Sequence, residues 1–169
     1  TAKDFFSFLK ISPPATLERS LKDEYAVGII SQNGESTYFI VITVDDFGRA
    51  FSAMLDWEGN MMSDLSFLNV KKQVPVITEP VAPVASTTAT TTPQSGATTT
   101  TIVNIPKKPE VFSWQDLIIK NKDTRAFANE KKQAQIAYTF LDKNTILIAG
   151  NLTAIGDISS AYASRSVAR

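Results

Sequence analysis

Along the first seventy residues the period of the apolar positions changes from two to about three and a half. "YAVGIIS" (Tyr25 to Ser31) and "TYFIVITV" (Thr37 to Val44) are dense in β-branched and aromatic residues, which suit a pleated, half-buried strand. The polar "QNGES" between them contains Asn33-Gly34, a pair that favours a tight two-residue turn, and the pattern predicts an antiparallel hairpin. Beyond it, Phe47, Ala50, Phe51, Met54, Met61, Leu65 and Leu68 recur at spacings of three, four and seven. That is one apolar face of a helix of about six turns, with Asp45 or Asp46 as its cap. Trp57 falls beside this stripe, Glu58 interrupts it, and Gly59-Asn60 marks a bend or the end of a first helical section. Ahead of the hairpin, "DFFSFLK" and "SPPATLERSL" read as short helical pieces, the second capped by Ser12 and entered through Pro13 and Pro14.

The last sixty residues repeat this alternation. "VFSWQDLIIKN" predicts a strand or a short turn leading into one, and "TRAFANEKKQAQIAYTFL" two strands joined by the polar turn "NEKKQ". "NTILIAGN" predicts a further strand. "LTAIGDISSAYASR" predicts a helix with Asn151 or Thr153 near its cap and Ala154, Ile155, Ile158, Ala161 and Tyr162 on its apolar face; the tail after Arg165 is expected to fray.

Tyr38 to Met54 laid over Ile146 to Tyr162, at a fixed offset of 108, matches strand to strand and Phe47-Gly48 to Ile155-Gly156, so both halves read strand, turn, strand, helix. A lone β-β-α unit has too little to bury, and two such units are expected to share a sheet or pack their helices together. The expected fold class is therefore α+β: a mainly antiparallel sheet with strands near 25–30, 38–44, 134–140 and 145–149, covered by helices starting near 47 and 152. Three segments follow: 1–72, a first β-β-α half with N-terminal helices; 73–110, a Pro/Thr-rich linker or insertion; and 111–169, a second β-β-α half sharing one core with the first.

The insertion contains "VPVITEPVAP" and "STTATTTPQSGATTTT", whose prolines impose an extended path and whose threonines offer almost nothing apolar to bury. It has the composition of the connectors of secreted surface proteins, which often carry O-linked sugars. An unmodified stretch of this kind is expected to be mobile.

Charge adds little, because seventeen basic residues balance seventeen acidic ones and no long block of either sign forms, which argues against a nucleic-acid partner. The absence of cysteine and histidine matters more. It removes disulfides, thiolate nucleophiles, the commonest general base and the commonest zinc ligand. No apolar run approaches the roughly 20 residues of a membrane span. The chain opens at Thr1 without methionine, and the expectation is a mature or excised piece of a longer protein.

"SAMLDWEGNMMSDLSFL", "DLIIKNKDTRAF", "AYTFLDKNTILIAGN" and "PATLERSL" together resemble a group of proteins of candidate-phyla (Patescibacteria-type) bacteria that carry one transmembrane helix before an extracytoplasmic domain. The resemblance implies an outward-facing domain whose halves are joined by a short connection; it brings no activity. This chain differs in its Pro/Thr-rich stretch, in having no apolar run of anchor length along these 169 residues, and in the Asn33-Gly34 order of its turn, which is reversed in the group.

Several short motifs have simpler readings. Ser7 and Lys10 in "SFLK" have the spacing of a serine acyl-transfer pair, without the partner motifs that chemistry needs. "NKDT" (Asn121 to Thr124) resembles a guanine-recognition motif with its order changed, and a charged loop explains it better. Asp45, Asp46, Asp56, Glu58 and Asp64 are the carboxylates from which a glycosidase pair or a hard-cation site would be drawn. Capping accounts for the first two and a solvated face for the rest. Asn151-Leu152-Thr153 is a glycosylation sequon that a helix cap explains equally well. Trp57 and Trp114 are expected in the core, and Asp123 and Arg125 are expected to pair with neighbours as structural residues. No residue is nominated as catalytic, cofactor-binding or metal-ligating, and no cofactor is expected. The functional expectation is a non-enzymatic extracytoplasmic structural or protein-binding module of the bacterial envelope or surface, with a protein partner or its own copies. Any membrane attachment would come through a segment absent from this chain, and the competing expectation is a carboxylate-dependent envelope hydrolase acting on polysaccharide.

Overall fold

The predicted hairpin is formed by β1 (Leu21–Gln32) and β2 (Glu35–Val44), with Gln32 opposite Glu35 across a two-residue turn in which Gly34 takes φ of 79°. The structure is a computed structural model that describes residues 1–32, 34–68 and 110–167; Asn33 and the Pro/Thr-rich insertion of the sequence reading lie outside them. The described residues belong to one compact unit.

Helix α3 (Phe47–Asp64) follows β2. Asp46 caps it, accepting a 2.6 Å bond from the Arg49 amide, and it runs through Gly59-Asn60 without the expected bend. A 3-10 turn at Ser66–Leu68 ends this part. Ahead of the hairpin lie α1 (Ala2–Phe8) and α2 (Ala15–Ser20). The cap of α2 is Pro14, with no side-chain bond, rather than Ser12. The second part supplies β3 (Phe112–Ile119), β4 (Lys122–Asn129), β5 (Ala134–Phe140), β6 (Thr145–Ala149) and α4 (Leu152–Val167). Asn151 caps α4 through a 2.8 Å bond from the Ala154 amide.

The six strands of the described residues make one wholly antiparallel sheet in the order β1-β2-β6-β5-β4-β3, so the fold is α+β with its helices on the sheet faces. β6 is buried at every position because both its faces are covered. Ile146 and Ile148 join Ile40, Ile42, Met54, Trp57 and Met61 in the core beneath α1, α2 and α3. Leu147 and Ala149 point the other way and join Ala126, Ala137 and Ile155 beneath α4. Successive strand side chains point to opposite faces, which is how one strand serves two cores.

The two β-β-α units share one sheet through β2 and β6, but their helices lie on opposite faces and do not pack together. The helix caps Asp46 and Asn151 do not match at the offset of 108, which sets Phe47, the first residue of α3, on Ile155 inside α4. A two-fold axis exchanging β2 with β6 would leave both helices on one face. The repeat is therefore one of element order and not of three-dimensional shape.

Candidate functional site

Glu58 is the largest departure from the sequence reading. Instead of lying on a solvated face, its carboxylate is turned towards the sheet, with the side chain 11% exposed. Arg125 on β4 clamps it with two bonds, Nε to Oε1 at 2.8 Å and Nη2 to Oε2 at 2.6 Å, and Tyr138 on β5 donates its hydroxyl to Oε1 at 2.7 Å. Arg125 uses its remaining nitrogen on Asp116 of β3 at 3.0 Å. Asp116 and Arg125 are direct cross-strand partners, as are Arg125 and Tyr138, so the ladder itself sets these three side by side. Trp114 closes the group from above. Its indole donates to the Glu58 carbonyl at 3.1 Å, and its ring lies 5.9 Å from Tyr138 and 6.0 Å from the Arg125 guanidinium.

The electrostatics follow from this geometry. Hydrogen bonding to Glu58 raises the pKa of Arg125 further above its already high value. Burial, and then the bond to Glu58, pushes the Tyr138 hydroxyl well above the usual phenol range. Arg125 stays a cation and Tyr138 a neutral donor at any ordinary pH. With its three faces committed, the guanidinium is a latch between helix and sheet, not a ready anion receptor.

Beside the latch opens a cleft of about 810 Å³, bordered by the first turns of α3, the far ends of β4 and β5, and the β3–β4 turn. Phe47 and Phe51 were expected in the core stripe, yet each is more than 40% exposed and stands at the wall of this cleft. They lean on Phe140, with ring centroids 4.8 and 6.1 Å away. Opposite them is Ile118, 74% exposed. Asp116, Asp123 and Asp142 line it together with Lys122, Arg125 and Lys143, and Lys122 is drawn back to the Leu141 carbonyl at 2.7 Å.

The other nominated residues are placed as follows. Asp45 forms a long surface ion pair with Arg49 at 3.9 Å, Asp56 is exposed, and Asp64 accepts the Trp57 indole N–H at 2.8 Å. Trp57 is fully in the core and Trp114 is partly buried against it. Ser7 and Lys10 share a separate groove between α1 and α2. The "NKDT" segment starts in the β3–β4 turn, where Lys120 and Asn121 both take positive φ, and continues as β4. The amide of Asn151 is committed on both sides, to the α4 cap and, at 2.5 Å, to Thr37. None of the five nominated carboxylates lines the cleft, and among the described residues no three acidic groups gather as a metal site would require.

No helix of the described residues is long and apolar enough to cross a membrane. Comparison with family models, with curated proteins and with solved structures gives no match.

Proposed function

We propose that the chain is a non-enzymatic extracytoplasmic module of a bacterial envelope or surface, acting as a structural or protein-binding domain, with the cleft beside α3 as its binding face. The observation that carries this reading is the exposure of Phe47, Phe51 and Ile118 around a cleft whose floor is held rigid by the Glu58–Arg125–Tyr138 latch. Exposed aromatics on a rigid base bind with little loss of side-chain freedom, as protein-recognition surfaces do. Asp116, Asp123 and Asp142 along the cleft are balanced by Lys122, Arg125 and Lys143, so the rings and not net charge select the partner, an apolar protein segment. The envelope location rests on the Thr/Pro-rich insertion and on the resemblance to anchored extracytoplasmic proteins.

A photo-crosslinking residue placed at Ile118 should trap a protein partner in native envelopes, whereas one at Asp56 should not, and Phe51→Ser should abolish the trapping. Equal trapping from both positions would remove the cleft from the proposal. The second reading, a carboxylate-dependent polysaccharide hydrolase, draws on Asp116, Asp123 and Asp142 lining the same cleft. Polysaccharide turnover by the purified chain that is lost in Asp116→Asn or Asp123→Asn would replace binding by catalysis.

A further inference from the structure

We infer that the free edge of β1 pairs with β1 of a second copy of this chain, antiparallel and about a two-fold axis at Val27, joining two six-stranded sheets into one. Among the described residues β1 is an outermost strand of the sheet, and its run from Tyr25 to Gln32 carries no charge and no proline. Natural edge strands usually carry a charge, a proline or a cover that prevents pairing. β3, the other edge, has one such device in the 84% exposed Asp116 near its middle.

The ladder fixes which groups of β1 are free. In a two-residue hairpin the closing pair exchanges both backbone bonds and the pairs then alternate, so Gln32, Ile30, Gly28 and Ala26 bond to β2. The other side of β2 agrees, since its even residues serve β6: the Val44 amide donates to Asn144 and the Tyr38 carbonyl accepts from Gly150. Tyr25, Val27, Ile29 and Ser31 therefore turn their N–H and C=O outward. The side chains of Tyr25, Val27 and Ile29 share the face that carries α1 and α3, because they lie opposite Ile42, Ile40 and Tyr38. Val27 and Ile29 are 43% and 57% exposed.

Two such edges related by the axis at Val27 set Val27 against itself, Tyr25 against Ile29, and Ala26 against Gly28. The charged residues Lys22 to Glu24 fall outside this run, in the stretch where the β1–β2 register shifts, so no like charges meet within it. A neutral apolar row gives a charged partner nothing to read and matches its own copy throughout. Aromatic against β-branched is among the favoured cross-strand pairs. The Tyr25 ring is already held by a stack on Phe5 at 5.0 Å, which lowers the entropy lost on pairing.

Sedimentation of the full chain over a range of concentrations tests this. A reversible dimer is expected, and Val27→Lys should weaken it at least about tenfold by placing a charge inside the joint. Val27→Pro removes only an outward N–H, so it should weaken the dimer while leaving the fold intact by circular dichroism. In this cysteine-free chain, Val27→Cys should form an interchain disulfide on oxidation and Ile118→Cys, on the opposite edge strand, should not. A monomer at all concentrations, a dimer untouched by both Val27 variants, or preferential cross-linking through position 118 would each overturn the inference. So would a monomer whose β1 amides become protected only by a strand of another protein.

Discussion

The two β-β-α units follow one local plan: a hairpin, a two-residue link ending in a polar cap, then a helix. Asp46 and Asn151 play the same part in each, accepting the amide three residues ahead. Their surroundings differ. β6 lies between β2 and β5 and is buried on both faces, whereas β1 has no neighbour on its outer edge among the described residues and is mostly exposed. With β2 and β6 antiparallel neighbours and the helices on opposite faces, no rotation superposes the units. This opposite hand lets two helices close both faces of a shared sheet, where a true two-fold would crowd one face and leave the other wet.

The most severe way to break the comparison is to remove one unit. Residues 1–72 alone should lose cooperative unfolding and near-ultraviolet dichroism, because β2 then lacks β6 and α3 lacks Ile136, Tyr138, Ile146 and Ile148 beneath it. A native-like cooperative melt of that fragment would show the first unit to be self-sufficient. Next is the latch that ties α3 of one unit to the strands beside the other. Glu58→Ala strands Arg125 and the Tyr138 hydroxyl in a largely buried setting, and should cost about 3 kcal/mol in urea unfolding.

The caps give a finer comparison. Asp46→Ala removes one exposed capping bond and should cost about 1 kcal/mol, while Asn151→Ala also loses the bond to Thr37 and should cost closer to about 2 kcal/mol. Equal losses would mean that the Thr37 bond contributes nothing. The smallest effect is titration in the second unit. Burial alone would raise the Asp142 pKa, but bonds from the Tyr162 hydroxyl, the Asn144 amide and Thr145 outweigh it and hold the carboxyl below its ordinary value. The stabilisation is thus complete above the unfolded carboxyl pKa and is lost as pH falls through the depressed folded value. After solvent screening it should amount to less than about 1 kcal/mol, and Tyr162→Phe should flatten the acid limb of the stability profile.

What could be read from the sequence was local. Asn33-Gly34, the Asp46 and Asn151 caps and the β-branched runs of β2, β5 and β6 announce themselves within a few residues. The latch does not, since Glu58 meets partners 67 and 80 positions away and nothing near it in the chain distinguishes it from a surface acid. Phe47 and Phe51 fit the helical period, and only the sheet's extent decides that they stand beside a cleft. The β3–β4 turn was hidden for a different reason: Lys120 and Asn121 take φ of 51° and 59° without the glycine that usually marks such a turn. The repeat reads at an offset of 108 while the caps Asp46 and Asn151 stand 105 apart, because β2 from Tyr38 onward and β6 are apolar at nearly every position and an unbroken apolar run does not fix a register.

The placing of β6 also sets a timetable for folding. It is the last of the six strands along the chain, yet it fills the gap between β2 and β5, and its pairs with β2 join residues roughly a hundred apart. During synthesis the first hairpin must wait with its inner edge unpaired while everything up to Ala149 is made. At five to twenty residues per second, a typical rate, that exposure lasts on the order of ten seconds. In that interval the first hairpin has two open strand edges in place of one, and folding competes with self-association through both.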